Sequence, residues 1–261
     1  WNISKEKFMD NQQFWLKNVA LRTSYGVTGN APSPGTASSF DILSPSRSSF
    51  FLGGSGLNLS SPANPRLTWE STKTLNFGVD FSLFENNRLS GTLDIYRKKT
   101  ADLIGRLAIN SLTGYNTIQG NMGEMENKGI EIGLFSRNII KSNFDWSSSF
   151  VMAYNKNIVK NLVSSFPISI GDELLRLIFV NEYPAYSLFA YDYAGLDNMG
   201  DPQIRLADGT ITKDVNGDET MPQDMLHMGT YQPVWSGGFG NTFRYKSFTL
   251  AANLSYNLGH V

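Results

Sequence analysis

Between Thr74 and Leu83 every odd position is apolar (Leu75, Phe77, Val79, Phe81, Leu83), while Thr74, Asn76, Gly78, Asp80 and Ser82 fill the even ones. Successive side chains of a strand point to opposite faces, so a period of two gives one greasy face and one polar face. The chain then passes Glu85, Asn86, Asn87 and Arg88 and resumes with Leu89, Leu93 and Ile95 opposed to Ser90, Thr92, Asp94 and Tyr96. Two alternating runs around a short polar break predict a hairpin. The same alternation sets Val19, Leu21, Tyr25 and Val27 against Ala20, Arg22, Ser24 and Gly26, and sets Phe248, Leu250, Leu254 and Tyr256 against Thr249, Asn253, Ser255 and Asn257. With further strands near Lys128 to Ser136, Asn143 to Asn155 and Val234 to Phe243, seven are expected, most about ten residues long and therefore able to cross a tilted bilayer path.

Alternation alone fits both a membrane barrel and a soluble sandwich, because each has one apolar and one polar face. Two features favour the barrel. The strand-borne charges Arg22, Asp80, Asp94, Glu131 and Asp145 all fall on the polar phase, as they must if an Arg or Lys facing lipid at the bilayer midplane costs about 2–4 kcal/mol. A soluble sheet would also avoid burying them, so the stronger feature is the loops. Connections at one end are short (Phe84 to Arg88, Asn138 to Asn143, Tyr245 to Ser247), whereas those at the other run from Asn30 to Ser71, Thr100 to Asn127 and Lys156 to Pro233. Short turns on one side and long loops on the other are the habit of outer-membrane barrels, and loops of such length are foreign to compact hairpin domains. Parity requires the last long segment to hold an even number of additional spanning strands, zero included, and Tyr186 to Tyr193 is expected to extend the wall above the membrane.

Composition agrees. Charged residues are 17% and aromatics 13%, a β-rich balance low in charge for a soluble domain. The net charge of -1, without a basic cluster suited to phosphate neutralisation, argues against nucleic-acid binding. With no cysteine, disulfides, thiolate zinc sites and thiol catalysis are excluded, and any compartment is compatible. His227 and His260 lack metal-ligand spacing and read as loop or strand-end residues. The most apolar run, Leu174 to Val180, is too short for a transmembrane helix and contains Arg176, so a membrane would be crossed by strands. The chain starts at Trp1 without a leader, and any export signal is expected to lie outside it.

Several segments carry a family resemblance along nearly the whole chain. They are Leu21-Arg22-Thr23-Ser24-Tyr25-Gly26-Val27-Thr28-Gly29-Asn30, Asn64-Pro65-Arg66-Leu67-Thr68-Trp69-Glu70, Arg88-Leu89-Ser90-Gly91 with Tyr96, Thr100, Asp102 and Leu103, and Asn121-Met122-Gly123-Glu124-Met125-Glu126-Asn127-Lys128-Gly129-Ile130-Glu131. Tyr154-Asn155-Lys156-Asn157, Ala194-Gly195-Leu196-Asp197 with Gly200-Asp201-Pro202, and Gly237-Gly238 through Asn241 to Tyr245-Lys246 follow in order. Together they resemble the C-terminal half of SusC/RagA-family TonB-dependent transporters. The resemblance implies an all-β fold, part of a large antiparallel transmembrane β-barrel of 22 strands, incomplete in this chain, with residues 1–261 lying wholly in the barrel domain. It implies a bacterial outer-membrane location, contact with outer-membrane lipid, and import of an oligosaccharide or peptide. The implied partners are TonB, acting through an N-terminal part with the plug that is absent here, and a SusD-like surface lipoprotein serving as a lid. Seven or nine strands cannot close such a barrel without unpaired edges. Leu258-Gly259-His260-Val261 also lacks a terminal aromatic, so a longer polypeptide is expected. Trp69, Tyr96 and Trp146 are placed for the membrane interfaces, with cross-strand packing as the alternative.

No catalytic constellation emerges, and the chain is not expected to be an enzyme. Gly53-Gly54-Ser55-Gly56-Leu57 lacks the glycine of a nucleophile elbow, and Glu124 with Glu126, or Asp172 with Glu173, read as solvated charges rather than a glycosidase pair. Asp214, Asn216 and Asp218 have the first oxygen spacings of a calcium loop, but Glu219 and Met225 occupy the places of its glycine and bidentate glutamate. The alternatives are a calcium site and an acidic solvated turn; no other cofactor is expected. Tyr183, Tyr186, Phe189, Tyr191 and Tyr193 form an aromatic group, its entry fixed by Pro184, that would meet a sugar ring or a lid, or pack internally. The competing function is a soluble β-sandwich that binds carbohydrate.

Overall fold

The computed structural model describes residues 1–9, 15–34, 36, 40–47, 55–163, 168–213 and 220–261. In chain order its strands are β1 (Leu16–Asn30), β2 (Ile42–Arg47), β3 (Ser55–Ser61), β4 (Glu70–Leu83), β5 (Leu89–Ala101), β6 (Ile104–Ala108), β7 (Thr117–Asn121), β8 (Glu124–Lys141) and β9 (Phe144–Lys160). After the one-turn helix α1 (Gly171–Leu174) come β10 (Ser187–Leu196), β11 (Pro202–Arg205), β12 (Ile211–Thr212), β13 (Met225–Thr230), β14 (Trp235–Tyr245) and β15 (Phe248–Leu258).

Seven of these form one sheet in the order β1-β4-β5-β8-β9-β14-β15, every neighbour antiparallel. They are the seven expected strands, but the central ones are longer, 18 residues in β8 and 17 in β9. At about 3.3 Å per residue β8 extends to roughly 60 Å, more than a tilted bilayer crossing needs. The extra length lies mainly toward the long loops, where Glu124 to Asn127 and Lys156 to Lys160 continue the ladder. At the other end β8 and β9 run on to the pair Lys141 and Phe144, leaving a two-residue turn shorter than the sequence suggested, with the register shift between Arg137 and Ile139 absorbing Asn138. The β14–β15 turn also has two residues, with Lys246 at φ 50°.

The sheet does not close. β1 and β15 each pair with a single named strand, so the chain contributes a segment of wall. All three short turns lie at one end and all three long connections at the other, and each long connection builds its own small sheet: β2 with β3, β6 with β7, and β12-β11-β10-β13. Among the described residues the number of additional spanning strands is zero, because none of those between β9 and β14 enters the main sheet. Tyr186 to Tyr193 does not extend the wall. It enters β10, whose partners are β11 and β13.

Glycines let large rings lie flat on the sheet. A Cβ on Gly129 would stand 2.4 Å from Cζ and Oη of Tyr96 and 2.5 Å from the Tyr154 carbonyl oxygen. The ring therefore lies across Gly129, and Tyr96 Oη donates to Asn155 Oδ1 at 3.1 Å. This overturns the interfacial reading of Tyr96: it occupies the polar phase, in the cross-strand row with Asn76 and Gly129. Trp69 and Trp146 behave differently. Trp69 is exposed and packs on Gly29, and Trp146 stacks on Phe243 at 5.6 Å.

Replacing Gly129 by Val should destabilise the barrel by about 1–3 kcal/mol, because the ring and the neighbouring carbonyl must both move. Gly26→Ala, whose Cβ meets nothing within 4 Å, should be close to neutral. Loss of the folded, heat-modifiable band of the full-length protein on gels at rising temperature would measure both.

Candidate functional site

Cross-strand register turns each strand's alternation into a continuous row. Thr23, Phe77, Ile95, Ile130, Tyr154, Trp235 and Leu258 are successive partners, and so are Val19, Phe81, Gly91, Leu134, Phe150, Phe239 and Leu254. These rows make one apolar phase, and its large side chains stand in the open: Phe77 is 56% exposed, Leu254 63% and Leu250 66%. None of the described elements packs over it as a second layer. A soluble sandwich would bury this face against another sheet, so the sandwich alternative fails on this geometry. Tyr154 with Trp235, ring centroids 4.5 Å apart, marks the long-loop border, and Trp146 with Phe243 marks the short-turn border. Trp146 and Tyr154 are eight residues apart, about 26 Å along the strand before tilt, comparable with the roughly 25 Å apolar band of outer-membrane barrels.

The opposite phase is polar and internally bonded. Arg22 bridges β1, β4 and β5: Nε donates to Asp80 Oδ2 at 2.6 Å, and Nη2 donates to Asp80 Oδ1 and Asp94 Oδ2 at 3.0 Å each. The guanidinium crosses Gly78, where a Cβ would sit 2.9 Å from it. Asn76 Nδ2 adds a bond to Asp94 Oδ1 at 2.8 Å. Toward the turns Arg244 pairs with Asp145. All five strand charges singled out in the sequence thus share this phase. Phe135 and Val151 also fall here, beside Gly240, Gly133 and Gly238 in their rows. A shallow cavity of about 360 Å³ on the sheet is lined by Thr92, Asp94, Glu131, Val151 and Ser236, among others.

At the long-loop end an asparagine ladder ties the loops to the polar phase. Asn127 Oδ1 accepts from Asn157 Nδ2 at 2.8 Å and from Asn155 Nδ2 at 3.3 Å, and Asn157 Oδ1 accepts the Ala185 N–H at 2.8 Å. Val159, fully buried, exchanges backbone bonds with Tyr183 and Glu182 at 2.9 Å. On the neighbouring loops Asn121 Oδ1 accepts Thr68 N–H at 2.8 Å, while its Nδ2 donates to Thr68 O at 3.0 Å and Asp102 O at 2.7 Å. Glu70 accepts from Asn30 Nδ2 and Ile104 N–H, each at 2.8 Å. Residues from five of the segments that carried the family resemblance, Asn30, Thr68 with Glu70, Asp102, Asn121 with Asn127, and Asn155 with Asn157, therefore make the bonds that fix the roots of the loops. Sequence reading marked the segments but not these bonds, since an asparagine in a strand announces no partner.

The five aromatic candidates separate. Phe189 is buried with Leu174, Val180 and Met225, and Tyr191 packs against that cluster. Tyr183 meets Phe189 edge-on at 5.1 Å and His227 at 4.9 Å; His227 Nε2 lies 3.1 Å from Ser187 Oγ. Tyr186, at φ 59°, lies between Phe179 and Tyr231, with centroids at 5.8 and 5.7 Å. Tyr193 is 63% exposed. In the β10–β11 turn, Asp197 pairs with Lys213 and accepts the Asp201 and Met199 N–H groups at 2.8 and 2.9 Å. The Lys213 ammonium first, and the Asp201 amide next, hold its carboxyl down at about 2. Asp214, Asn216 and Asp218 lie outside the described residues.

A family model described as TonB dependent receptor-like, beta-barrel matches residues 12–260. The chain belongs to this family of TonB-dependent receptor barrels. It is 33% identical over 261 residues to TonB-dependent receptor P26 of Formosa agariphila, a match covering 95% of this chain and 26% of that receptor. It is 29% identical over 185 residues to TonB-dependent receptor SusC of Bacteroides thetaiotaomicron, covering 67% of this chain and 18% of SusC. The solved RagAB peptide transporter superposes with a TM-score of 0.82 at 24% identity, covering 99% of this chain and 28% of that one. The chain spans about a quarter of the length of the first relatives it matches. The SusC/RagA resemblance and the outer-membrane location are borne out, and the apolar phase of this TonB-dependent receptor wall is its lipid-facing side.

Asn157→Ala should loosen the loop layer from the wall, because one backbone donor and the ladder bond to Asn127 lose their partner, at about 1–3 kcal/mol. Faster amide hydrogen exchange across residues 182–187, with the centre of β9 unchanged, is the expected result in the full-length receptor.

Proposed function

We propose that this chain is a segment, lying wholly in the barrel domain, of a TonB-dependent importer that carries a bulky nutrient, an oligosaccharide or a peptide, across the outer membrane. One observation carries the reading: the sheet holds an uncovered apolar phase on one side and, on the other, a bonded charged row from Arg22 through Asp80 to Asp94. Such a wall separates lipid from a polar conduit. The long loops face outward from the cell and the short turns inward, as the loop asymmetry of outer-membrane barrels supports. The role is transport rather than catalysis, and TonB acts through a part of the protein outside this chain.

The partner is a SusD-like surface lipoprotein seated over the long-loop end. The structurally similar RagAB is a peptide transporter, which supports keeping peptides beside glycans as cargo. Within the loop layer Tyr193 and the edge of Tyr183 are the aromatic surfaces offered to ligand or lid, while Phe189, Tyr191 and Tyr186 hold that surface from beneath, as their packing supports.

Deleting the gene in its host should abolish uptake of fluorescent oligosaccharides or peptides too large for passive diffusion. Depolarising the inner membrane should have the same effect, and affinity purification of the full-length receptor should bring down one lipoprotein. Undiminished uptake of both cargo classes in the deletion strain, or uptake indifferent to depolarisation, would contradict the proposal.

A further inference from the structure

Immediately above the row Phe77-Ile95-Ile130-Tyr154, on the same apolar phase, the side chains change to cations. Arg97, Lys128 and Lys156 are cross-strand partners in the next row, Lys73 and Lys99 are partners in the row beyond, and Lys160 follows opposite Glu124. Six cations share this strip with two carboxylates, Glu124 and Glu126. Glu126, buried, gathers three of them: Arg97 Nε, Lys160 Nζ at 3.1 Å and Lys128 Nζ at 3.4 Å. No ion pair among the described residues engages Lys73, Lys99 or Lys156, and all three are exposed. Between the strands Lys73, Arg97, Lys99, Glu126 and Lys160 line a cleft of about 420 Å³.

Ordinary snorkelling explains one or two lysines at such a border. It does not explain a cleft in which a buried carboxylate holds three cations while three others are left unpaired. Two residues of strand rise about 6.6 Å, so the first cationic row sits one headgroup depth beyond the last apolar row. An ammonium and guanidinium cluster at that depth is complementary to phosphate.

We infer that this strip is a binding site for the phosphate-bearing headgroup of an outer-leaflet glycolipid, lipid A, with its acyl chains lying down the apolar rows below. The site rests on the proposed orientation, in which the apolar phase faces lipid and the long loops lie outside. Lys73, Lys99 and Lys156 supply the free charges, and Glu126 keeps Arg97, Lys128 and Lys160 from spreading apart.

The test uses the full-length receptor in nanodiscs of neutral lipid doped with either bisphosphorylated or dephosphorylated lipid A, comparing wild type with Lys73→Gln/Lys99→Gln/Lys156→Gln. Native mass spectrometry should show wild type retaining the phosphorylated lipid at least about tenfold more than the variant, at roughly 1 kcal/mol per surface cation, with dephosphorylated lipid retained equally weakly by both. Inorganic phosphate at millimolar concentration should not displace the lipid, because it lacks the chains. Equal retention of phosphorylated lipid by wild type and variant, or no preference of wild type for it, overturns the inference. So does displacement by free phosphate, which would make the strip a simple anion site. Insertion of the protein into the neutral nanodisc without any lipid selection would leave the membrane orientation standing and sink this site alone.

Discussion

In the hydrocarbon of a bilayer a backbone N–H or C=O without a protein partner costs several kcal/mol, and everything in this structure follows from meeting that requirement with strands. From β4 to β14 each main strand is hydrogen-bonded on both sides in an antiparallel ladder, with a register shift between Arg137 and Ile139 that lies toward the short-turn end. The lipid dictates side chains as strictly as backbone. One phase must be apolar across all strands at once, and a slip of one residue in any pairing would turn that strand's Arg, Asp or Glu toward the acyl chains. The register avoids this by placing Arg22, Asp80, Asp94, Glu131 and Asp145 on one side. Glycines at the crossings make room for what the polar side must hold, the Arg22 guanidinium over Gly78 and the Tyr96 ring over Gly129.

Function is layered on that wall by length. The short-turn end is spare, but at the other end β8 and β9 outrun the membrane and present Asn127, Asn155, Asn157 and Val159 to the loops. The small sheet of β10 to β13 is thereby fastened to the polar phase of the wall rather than tethered only by its ends. It also owns a core, with Leu174, Val180, Phe189 and Met225 packed together, so it can present a defined surface. A loop layer docked on the wall and holding its own core is suited to positioning cargo and a lid, which supports the proposed import role.

How much was legible depended on the physics that wrote each feature. Phe77, Val79 and Phe81 alternate because an apolar and a polar environment lie on opposite sides of one strand, and such a period survives in any sequence window. The seven strands and their two phases were therefore readable. Strand ends were not, because Glu124 to Asn127 and Ile158 to Lys160 continue β8 and β9 beyond the membrane, where no solvent demands alternation. Tyr96 misled, since an aromatic at a strand end suits an interface as well as a polar-phase slot, and the choice depends on Gly129 two strands' worth of sequence away. The aromatic group from Tyr183 to Tyr193 looked like one surface. Pairing of β10 with β13 instead sends Phe189 into a core while Tyr193 stays exposed.

The central claim, that the two phases of this sheet meet lipid and water respectively, is open to one direct measurement. These 261 residues hold no cysteine, so in the full-length receptor reconstituted in lipid, with any cysteine outside them replaced, single cysteines carrying nitroxide labels can be placed from Thr74 to Leu83, leaving out Gly78. Spin relaxation by oxygen, which partitions into the bilayer, should peak at Leu75, Phe77, Val79 and Phe81, and relaxation by a water-soluble nickel chelate should peak at Thr74, Asn76 and Asp80. Uniform accessibility along the strand, or the two profiles in the opposite phase, would contradict the account.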